Sequence, residues 1–230
     1  MINPQEKDQA KSIKIIEYNW DLNSPSFYVQ AHDIIWEQFD GWSIYTPLTR
    51  NLARKYLPIY NIPENPYRHP HDIYLDFKGF DIIAKPLTRQ LAWVLSAVNG
   101  DVERKRILDL GCGSTGETKD RGIQYQPWLC RALLELEAYP IGVDIGLLDQ
   151  EKFEAHRIDL LTPDSLNFLP DGYVDVVHSR ALFDSPELYK REIELPKSFS
   201  YKGDYFMEIL RPQIERVLKP SGAFVYSKSV

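Results

Sequence analysis

A strand-like run followed by a glycine-rich turn, "RILDLGCGSTG" at residues 106–116, constrains the fold of this chain more than any other stretch. Gly111, Gly113 and Gly116 spell G-x-G-x-x-G, and glycines at a strand-to-helix turn let the backbone approach a ligand closely. Taken literally, this spacing is typical of a dinucleotide-binding α/β domain. The acid at Asp109, two residues before the first glycine, points to a different ligand.

The second half of the chain has the pattern of a parallel α/β sheet, in which short apolar runs alternate with helical or loop segments. Helices are predicted at residues 127–138 and 204–218, the second kinked by Pro212. We predict about five parallel strands flanked by these helices. The predicted strands are residues 106–111, 140–145, 155–160, 173–179 and 223–229.

The first hundred residues follow a less regular pattern, and we expect a mainly helical extension at 1–100 that caps a domain at 101–230. Helix starts are predicted at Ser26 and at Thr46, a short strand or hairpin near residues 73–83, and a helix over 85–100. Aromatic residues make up 13% of the chain, many of them before residue 100. Such side chains suit a small-molecule pocket in this extension.

Charge and composition narrow the expected partners and compartment. A net charge of −6 without a dense Lys/Arg stripe argues against nucleic acid. No stretch approaches the ~20 apolar residues that span a bilayer, and the N-terminus lacks the apolar core of a signal peptide. Cys112 and Cys130 are too few for a disulfide framework and have no metal-ligand spacing. We therefore expect a cytoplasmic protein without a membrane partner.

The charge of the ligand separates two cofactors that a glycine loop could hold. A dinucleotide brings a pyrophosphate that binds at a helix N-terminus, whereas S-adenosylmethionine brings a sulfonium and an ammonium group that needs an acceptor. The acid at Asp109 fits the second ligand. "ILDLGCGSTG" resembles motif I of the class I S-adenosylmethionine-dependent methyltransferases, which have a Rossmann-like fold. Over roughly residues 107–230 the resemblance continues through "IGVDI", "HRIDL", "DGYVDVVHS" and "RVLKPSGAFVYS".

The resemblance implies a set of residues that bind S-adenosylmethionine. Asp144, which ends "IGVDI", corresponds to the acid that holds both ribose hydroxyls, and Asp159 to the position that faces the adenine amino group. Cys112 is expected to be a small packed residue of the loop, because no His or Asn signature of a nucleophile accompanies it. The implied donor-binding residues are Asp109, Gly111, Cys112, Gly113, Ser114, Asp144, Ile145, Asp159, Leu160 and Ser179.

Two features depart from the family pattern. The usual run is D-x-G-x-G-x-G, whereas Gly116 comes one residue late, and the connection from Gly111 to Asp144 is long at 144 − 111 = 33 residues. The sequence also stops at Val230, after the fifth predicted strand, where the family has a terminal antiparallel strand pair. We expect the sheet edge to be exposed, covered by the N-terminal half, or covered by a second subunit in a homodimer.

The segment after the fourth predicted strand should run over the reactive end of the donor as a substrate lid. His178 is a candidate general base, since an imidazole titrates near neutral pH, and Arg180 is a second candidate catalytic residue. The alternative is that His178 and Arg180 are structural or bind the donor's carboxylate. A base is needed only when the acceptor must lose a proton, because positioning supplies much of the acceleration.

The resemblance implies methyl transfer to a small acceptor, aromatic or of natural-product type, at oxygen, nitrogen or carbon. Three alternatives remain: a non-catalytic methyltransferase-like binding module, a nicotinamide oxidoreductase, and a methyltransferase acting on protein. His69, His71 and Asp72 could each ligate a metal, but a proline-bound loop does not require them to converge. No metal is therefore predicted.

Overall fold

The computed structural model describes residues 13–19, 52, 80–114 and 126–228. Six strands and four helices lie in these ranges. In chain order they are β1 (Lys14–Asn19), α1 (Phe80–Ala97), β2 (Arg106–Leu110), α2 (Trp128–Glu135), β3 (Tyr139–Asp144), β4 (Glu154–Arg157), β5 (Val174–Arg180), α3 (Pro186–Lys190), α4 (Lys202–Val217) and β6 (Leu218–Lys228).

All six strands form one parallel sheet, in the order β1-β6-β5-β2-β3-β4. The apolar runs that predicted the central strands are fully buried, as a parallel sheet covered on both faces requires. Ile107 pairs with Val176 and with Pro140, so β2 lies between β5 and β3. This is an α/β sheet flanked by helices, the Rossmann-like architecture that the resemblance implies.

The number of strands corrects the prediction of about five, because a sixth strand comes from the N-terminal hundred residues. β1 pairs with β6 in register from Lys14 with Ala223 to Asn19 with Lys228. The hydroxyl of Tyr226 also donates to Glu17 Oε2 at 2.7 Å. This strand covers the outer edge of β6, in agreement with the alternative that the N-terminal half covers that edge.

Two apolar layers sandwich the sheet. On one face α1 and α2 pack against Ile107, Val176 and Val225, and the buried side of α1 includes Leu87, Leu91, Val94 and Leu95. On the other face α4 packs against Leu108, Val177 and Phe224, largely through Phe206, Leu210 and Ile214. Alternate residues of β2, β5 and β6 thus face opposite layers, as the period of a strand requires.

Several boundaries differ from the prediction. α1 begins at Phe80, so the strand or hairpin predicted for residues 73–83 is wrong at 80–83. β4 ends at Arg157, three residues before the predicted end. Between β5 and β6 the register shifts, since Val174 pairs with Leu218 but Val176 with Ala223. The helices predicted from Ser26 and Thr46 lie outside the described residues, apart from the buried helical position Leu52.

Among the helices of the described ranges, none combines the length and the apolar character that a membrane crossing requires.

Candidate functional site

The predicted donor-binding residues lie on β2, β3, β4 and β5 or in the turns that follow them, at the edge of the sheet where these four strands end. Within the sheet, β3 and β4 lie on one side of β2, and β5 and β6, which follow them in the chain, lie on the other side of β2. In open α/β sheets, ligands bind at such a reversal of strand order, beyond the carboxyl ends of the strands. The candidate site is therefore centred on the ends of β2 and β5.

The glycine loop begins directly at the end of β2 and is bonded to the neighbouring strand. Gly111 has a φ of +72° and Gly113 a φ of +95°, in the left-handed region that favours glycine. The amides of Gly111 and Cys112 both donate to the carbonyl of Val143, at 2.8 and 3.1 Å. A Cβ at Gly111 would lie 3.0 Å from Leu182 Cδ1. The two hydrogen bonds to Val143 fix the loop to β3, and Leu182, from the segment that follows β5, packs against the loop.

The carboxylate of Asp144 joins this loop to the end of β3. Its Oδ2 accepts from the amide of Gly113 at 3.0 Å, and its Oδ1 accepts from the amide of Gly146 at 2.7 Å. Each carboxylate oxygen has a second lone pair, so both can accept a further hydrogen bond. The Asp144 residue is 9% exposed. A buried carboxylate oriented by two amides can bind a vicinal diol.

Gly146 is required by the close approach of the two turns that carry the site. A Cβ at Gly146 would lie 2.3 Å from Ser114 Cβ and 3.2 Å from Asp144 Oδ1. The first distance is far below any van der Waals contact, so a side chain at Gly146 would displace Ser114. The sequence analysis did not single out Gly146, because only the spatial meeting of the two turns explains it.

Asp109 lies beneath the glycine loop, and its carboxylate is already engaged on both oxygens. His178 Nδ1 donates to Oδ1 at 2.7 Å, and the thiol of Cys130 donates to Oδ2 at 3.7 Å. The Asp109 and His178 side chains are only 4% and 1% exposed. The indole ring of Trp93 on α1 packs 6.4 Å from the imidazole, centroid to centroid. Among the described residues, His178 Nε2 has no hydrogen-bond partner.

Both thiols of the chain are free and lie under this part of the site. The ideal Cβ position of Gly142 is 3.0 Å from Cys112 Sγ and 3.3 Å from Cys130 Sγ, so the two sulfur atoms lie close together. Burial raises the pKa of the Cys112 thiol, and it raises the pKa of the Cys130 thiol further. Cys112 also donates to the carbonyl of Gly113 at 3.2 Å. These are the properties of packed, protonated thiols rather than of nucleophiles.

Asp159 lies beside Asp144 because the amide of Ile158 donates to the Asp144 carbonyl at 2.9 Å. Its Oδ1 accepts from the amide of Leu161 at 3.1 Å, and its Oδ2 accepts from Arg191 Nη1 at 2.6 Å. The adjacent Leu160 is buried. Ile145, which follows Asp144, has an exposed side chain and a carbonyl that accepts from Arg157 at 3.1 Å. Arg191 was missed by the sequence analysis.

The segment between β5 and α4, residues 181–201, contains the short helix α3 and is fastened at its end. Lys202 Nζ donates to the carbonyls of Tyr189 and Arg191, at 3.0 and 2.5 Å. Tyr201 donates its hydroxyl to Asp184, and its ring packs 5.8 Å from that of Tyr189. The loop that the sequence predicts as a substrate lid is therefore an ordered segment in this structure.

Two further polar side chains come from the carboxyl end of β5. Ser179 is fully buried, and its hydroxyl has no hydrogen-bond partner within the part of the chain that the structure describes. Arg180 is partly exposed at the last position of the strand. The structure thus brings the candidate catalytic residues His178 and Arg180 to the same strand end as Ser179.

A buried ion pair supports the turn after β3 and has no local signal in the sequence. Arg131 on α2 donates to both carboxylate oxygens of Glu151, at 3.1 and 2.6 Å, and the two side chains are 3% and 2% exposed. The guanidinium also lies 4.8 Å from the ring centroid of Trp128. This pair fastens the segment that follows Asp144 to the helix beyond the glycine loop.

Other sequence hypotheses fall outside the described residues. Gly116, His69, His71 and Asp72 all lie outside the described residues. That the last three do not form a metal site therefore stays a prediction. Within the ranges that the structure does describe, His, Cys, Asp and Glu side chains form no cluster of three or more that could hold a metal.

No family model matches this chain, and no curated protein matches it. One solved structure that is similar in part is the S-adenosylmethionine-dependent methyltransferase from Mesorhizobium loti, at 22% sequence identity and a TM-score of 0.35. The similarity covers 58% of this chain and 50% of that one. This chain therefore spans about half of that neighbour's length.

Proposed function

We propose that this protein is an S-adenosylmethionine-dependent methyltransferase whose acceptor is a small molecule. The observation that carries the proposal is Asp144, a buried carboxylate oriented by the amides of Gly113 and Gly146 at the carboxyl edge of the sheet. Its remaining lone pairs fit the ribose diol of the donor.

The other residues at the site fit this donor as well. Gly111 and Gly113 have left-handed backbone conformations in the turn at the end of β2, and glycines there let the backbone approach a ligand closely. The buried polar atoms His178 Nε2 and Ser179 Oγ lack partners among the described residues, and buried polar groups are rarely left so. We infer that Ser179 Oγ is hydrogen-bonded by the amino-acid part of the donor when it is bound.

Asp109 acts in this proposal from beneath the loop and not by direct contact. Its two oxygens are engaged by His178 and Cys130, and the side chain is 4% exposed. A carboxylate in this position stabilises the positive charge of a donor bound above the loop. Its hydrogen bond across the two strands also holds β2 and β5 in register. Leu160 and Ile145 would provide the apolar contacts to the adenine, and Ser114 the wall of the loop.

The chemistry that the bound donor supplies is an activated methyl group, and the protein's part is to orient the acceptor and exclude water. His178 remains the candidate base, because its Nδ1 proton is held by Asp109 and a neutral imidazole then has a lone pair at Nε2. Arg180 remains the second catalytic candidate. Because β1 covers β6, that strand is not an open edge through which a homodimer could form.

Calorimetry tests the proposal with S-adenosylmethionine, S-adenosylhomocysteine and NAD. The two sulfur compounds are expected to bind, and binding of NAD alone would instead favour an oxidoreductase. Asp144→Ala should raise the Kd for S-adenosylhomocysteine by about 100-fold, since it removes two hydrogen bonds to a charged acceptor. Asp149→Ala is the matched control, because Asp149 is an exposed acid five residues further along the same turn.

Turnover is tested separately with labelled S-adenosylmethionine and a broad panel of small hydroxyl, amine and aromatic acceptors. Transfer of label to any of them supports the enzyme. Tight binding of the donor without transfer to small molecules or to protein would favour the non-catalytic binding module instead.

A further inference from the structure

The ion pair between Arg191 and Asp159 links two parts of the chain that are distant in sequence and meet at the candidate site. Arg191 lies in the segment after β5, and Asp159 follows β4, the strand three positions away in the sheet. Arg191 Nη1 is 2.6 Å from Asp159 Oδ2, and the two side chains are 32% and 40% exposed. The pair is thus ordered, yet open enough to be reached by a ligand.

The position of Arg191 is fixed independently of Asp159. Lys202 at the start of α4 holds the Arg191 carbonyl at 2.5 Å and that of Tyr189 at 3.0 Å. At the other end of the same segment, Leu182 Cδ1 lies 3.0 Å from the position that a Cβ of Gly111 would take. The segment therefore runs from the glycine loop to Asp159, and Arg191 is directed to the adenine end of the proposed site.

The pair offers a hydrogen-bond pattern that only one kind of purine matches. Asp159 has unused lone pairs, and one of the five N–H groups of the guanidinium is directed to its Oδ2. An acceptor therefore lies beside a set of donors. A 6-aminopurine presents the complementary edge, an amino donor beside a ring-nitrogen acceptor, whereas a 6-oxopurine presents the two in reverse.

We propose that Arg191 is a positioning and specificity-determining residue, which orients Asp159 and reads the 6-amino edge of the donor's purine together with it. This inference rests on the proposed function, since it requires the adenosine end of the donor at this place. It gives the segment after β5 a role in choosing the donor, beyond that of covering the acceptor.

The experiment compares S-adenosylhomocysteine with its 6-oxo analogue, S-inosylhomocysteine, by calorimetry. The native protein is expected to bind the 6-amino compound at least about tenfold more tightly, because the 6-oxo compound would set its carbonyl against the Asp159 carboxylate and its ring N–H against the Arg191 guanidinium. Arg191→Met should weaken the 6-amino compound by about 10-fold and leave the 6-oxo compound nearly unchanged, so that the ratio of the two Kd values falls toward one. Arg191→Lys should restore part of the ratio.

Asp171→Asn is the control, since it breaks a second Asp–Arg pair, Asp171 with Arg216 at 2.7 Å, that supports the fold elsewhere. It should leave the ratio unchanged. A ratio that Arg191→Met also leaves unchanged, or affinities that fall equally for both compounds, would overturn the role of Arg191 alone. If neither compound binds the native protein, the proposed function itself fails, and the role of Arg191 fails with it.

Discussion

Asp109 of β2 and His178 of β5 are directly paired across adjacent strands, and their side chains share a 2.7 Å hydrogen bond that is almost completely shielded from water. The same carboxylate accepts from the Cys130 thiol on its other oxygen. Three elements, β2, β5 and α2, therefore meet at one buried carboxylate. A group in this position holds the strands that carry the site.

We predict that Asp109→Asn lowers the free energy of unfolding by about 1–3 kcal/mol, because the asparagine amide places a donor where Oδ2 accepted from Cys130. Urea unfolding followed by circular dichroism measures the change. Asp171→Asn serves as a control, because that acid is 76% exposed and its ion pair is worth at most about 1 kcal/mol. Equal effects of the two variants would contradict the importance of the buried carboxylate.

The buried pair of Arg131 and Glu151 gives a second stability prediction. Glu151→Gln should cost about 3–5 kcal/mol, since it removes the carboxylate charge that faces a guanidinium only 3% exposed. The double variant Arg131→Met, Glu151→Met should recover most of that loss, because replacing both partners removes the buried charge. A double variant as unstable as Glu151→Gln would show that the pair supports the turn in a way that apolar packing cannot.

Gly146 allows a test of the close approach between two turns. Gly146→Ala should weaken binding of S-adenosylhomocysteine by tenfold or more, because its Cβ would lie 2.3 Å from that of Ser114 and would move Asp144 or the glycine loop. The second-site change Ser114→Gly should restore most of the affinity by removing the clashing atoms. Failure of this rescue would mean that the loss comes from another neighbour.

The two thiols should react slowly in the folded protein at pH 8. Burial raises both pKa values above the ordinary 9.0, and the thiolate is the reactive form. A chromogenic disulfide reagent should label them slowly in buffer and rapidly in denaturant. S-adenosylhomocysteine should slow labelling of the Cys130→Ala variant, in which Cys112 of the glycine loop is the remaining thiol. Rapid labelling of the folded protein would contradict the burial of both sulfur atoms.

The raised pKa values of the two thiols also predict how the stability of the protein changes with pH. Because the folded-state pKa of each thiol is raised, the thiols favour the folded protein below pH 9.0 and this contribution is lost as the pH rises through the folded-state values. Unfolding free energies at pH 8 and pH 10 should therefore differ more for the native chain than for the variant Cys112→Ala, Cys130→Ala. An equal difference in the two proteins would contradict the shifts.

Much of the sheet could be predicted from sequence because its central strands are buried on both faces. The run at Ile107–Leu110 and the run at Val174–Ser179 are short, mostly buried stretches rich in isoleucine, leucine and valine. β1 was missed because polar residues flank its two isoleucines and because its partner β6 is distant in sequence. A strand of this kind is defined by its neighbour more than by its own composition.

The site was predictable to the extent that it depends on position after a strand. Asp144 and Asp159 were identified because "IGVDI" and "HRIDL" resemble motifs in which an acid comes at the end of a strand. The bond between Asp109 and His178 needs the register of β2 with β5, and the pair of Arg191 with Asp159 needs the path of the segment after β5. No local pattern contains either kind of information, so these partners had to come from the structure.

Because β6 lies inside the sheet, the order in which the strands are synthesised affects how the sheet is completed. Glu17 and Tyr226, which are hydrogen-bonded between β1 and β6, are 209 residues apart, so at 5–20 residues per second β1 waits roughly ten to forty seconds for its partner. β6 must then enter between two strands already synthesised, β1 and β5, instead of adding to an outer edge. Until β6 emerges, β1 has no partner, and once β5 has been made its edge is unpaired as well; binding by a chaperone would protect these edges in the cell. Completion of the sheet is therefore timed by translation.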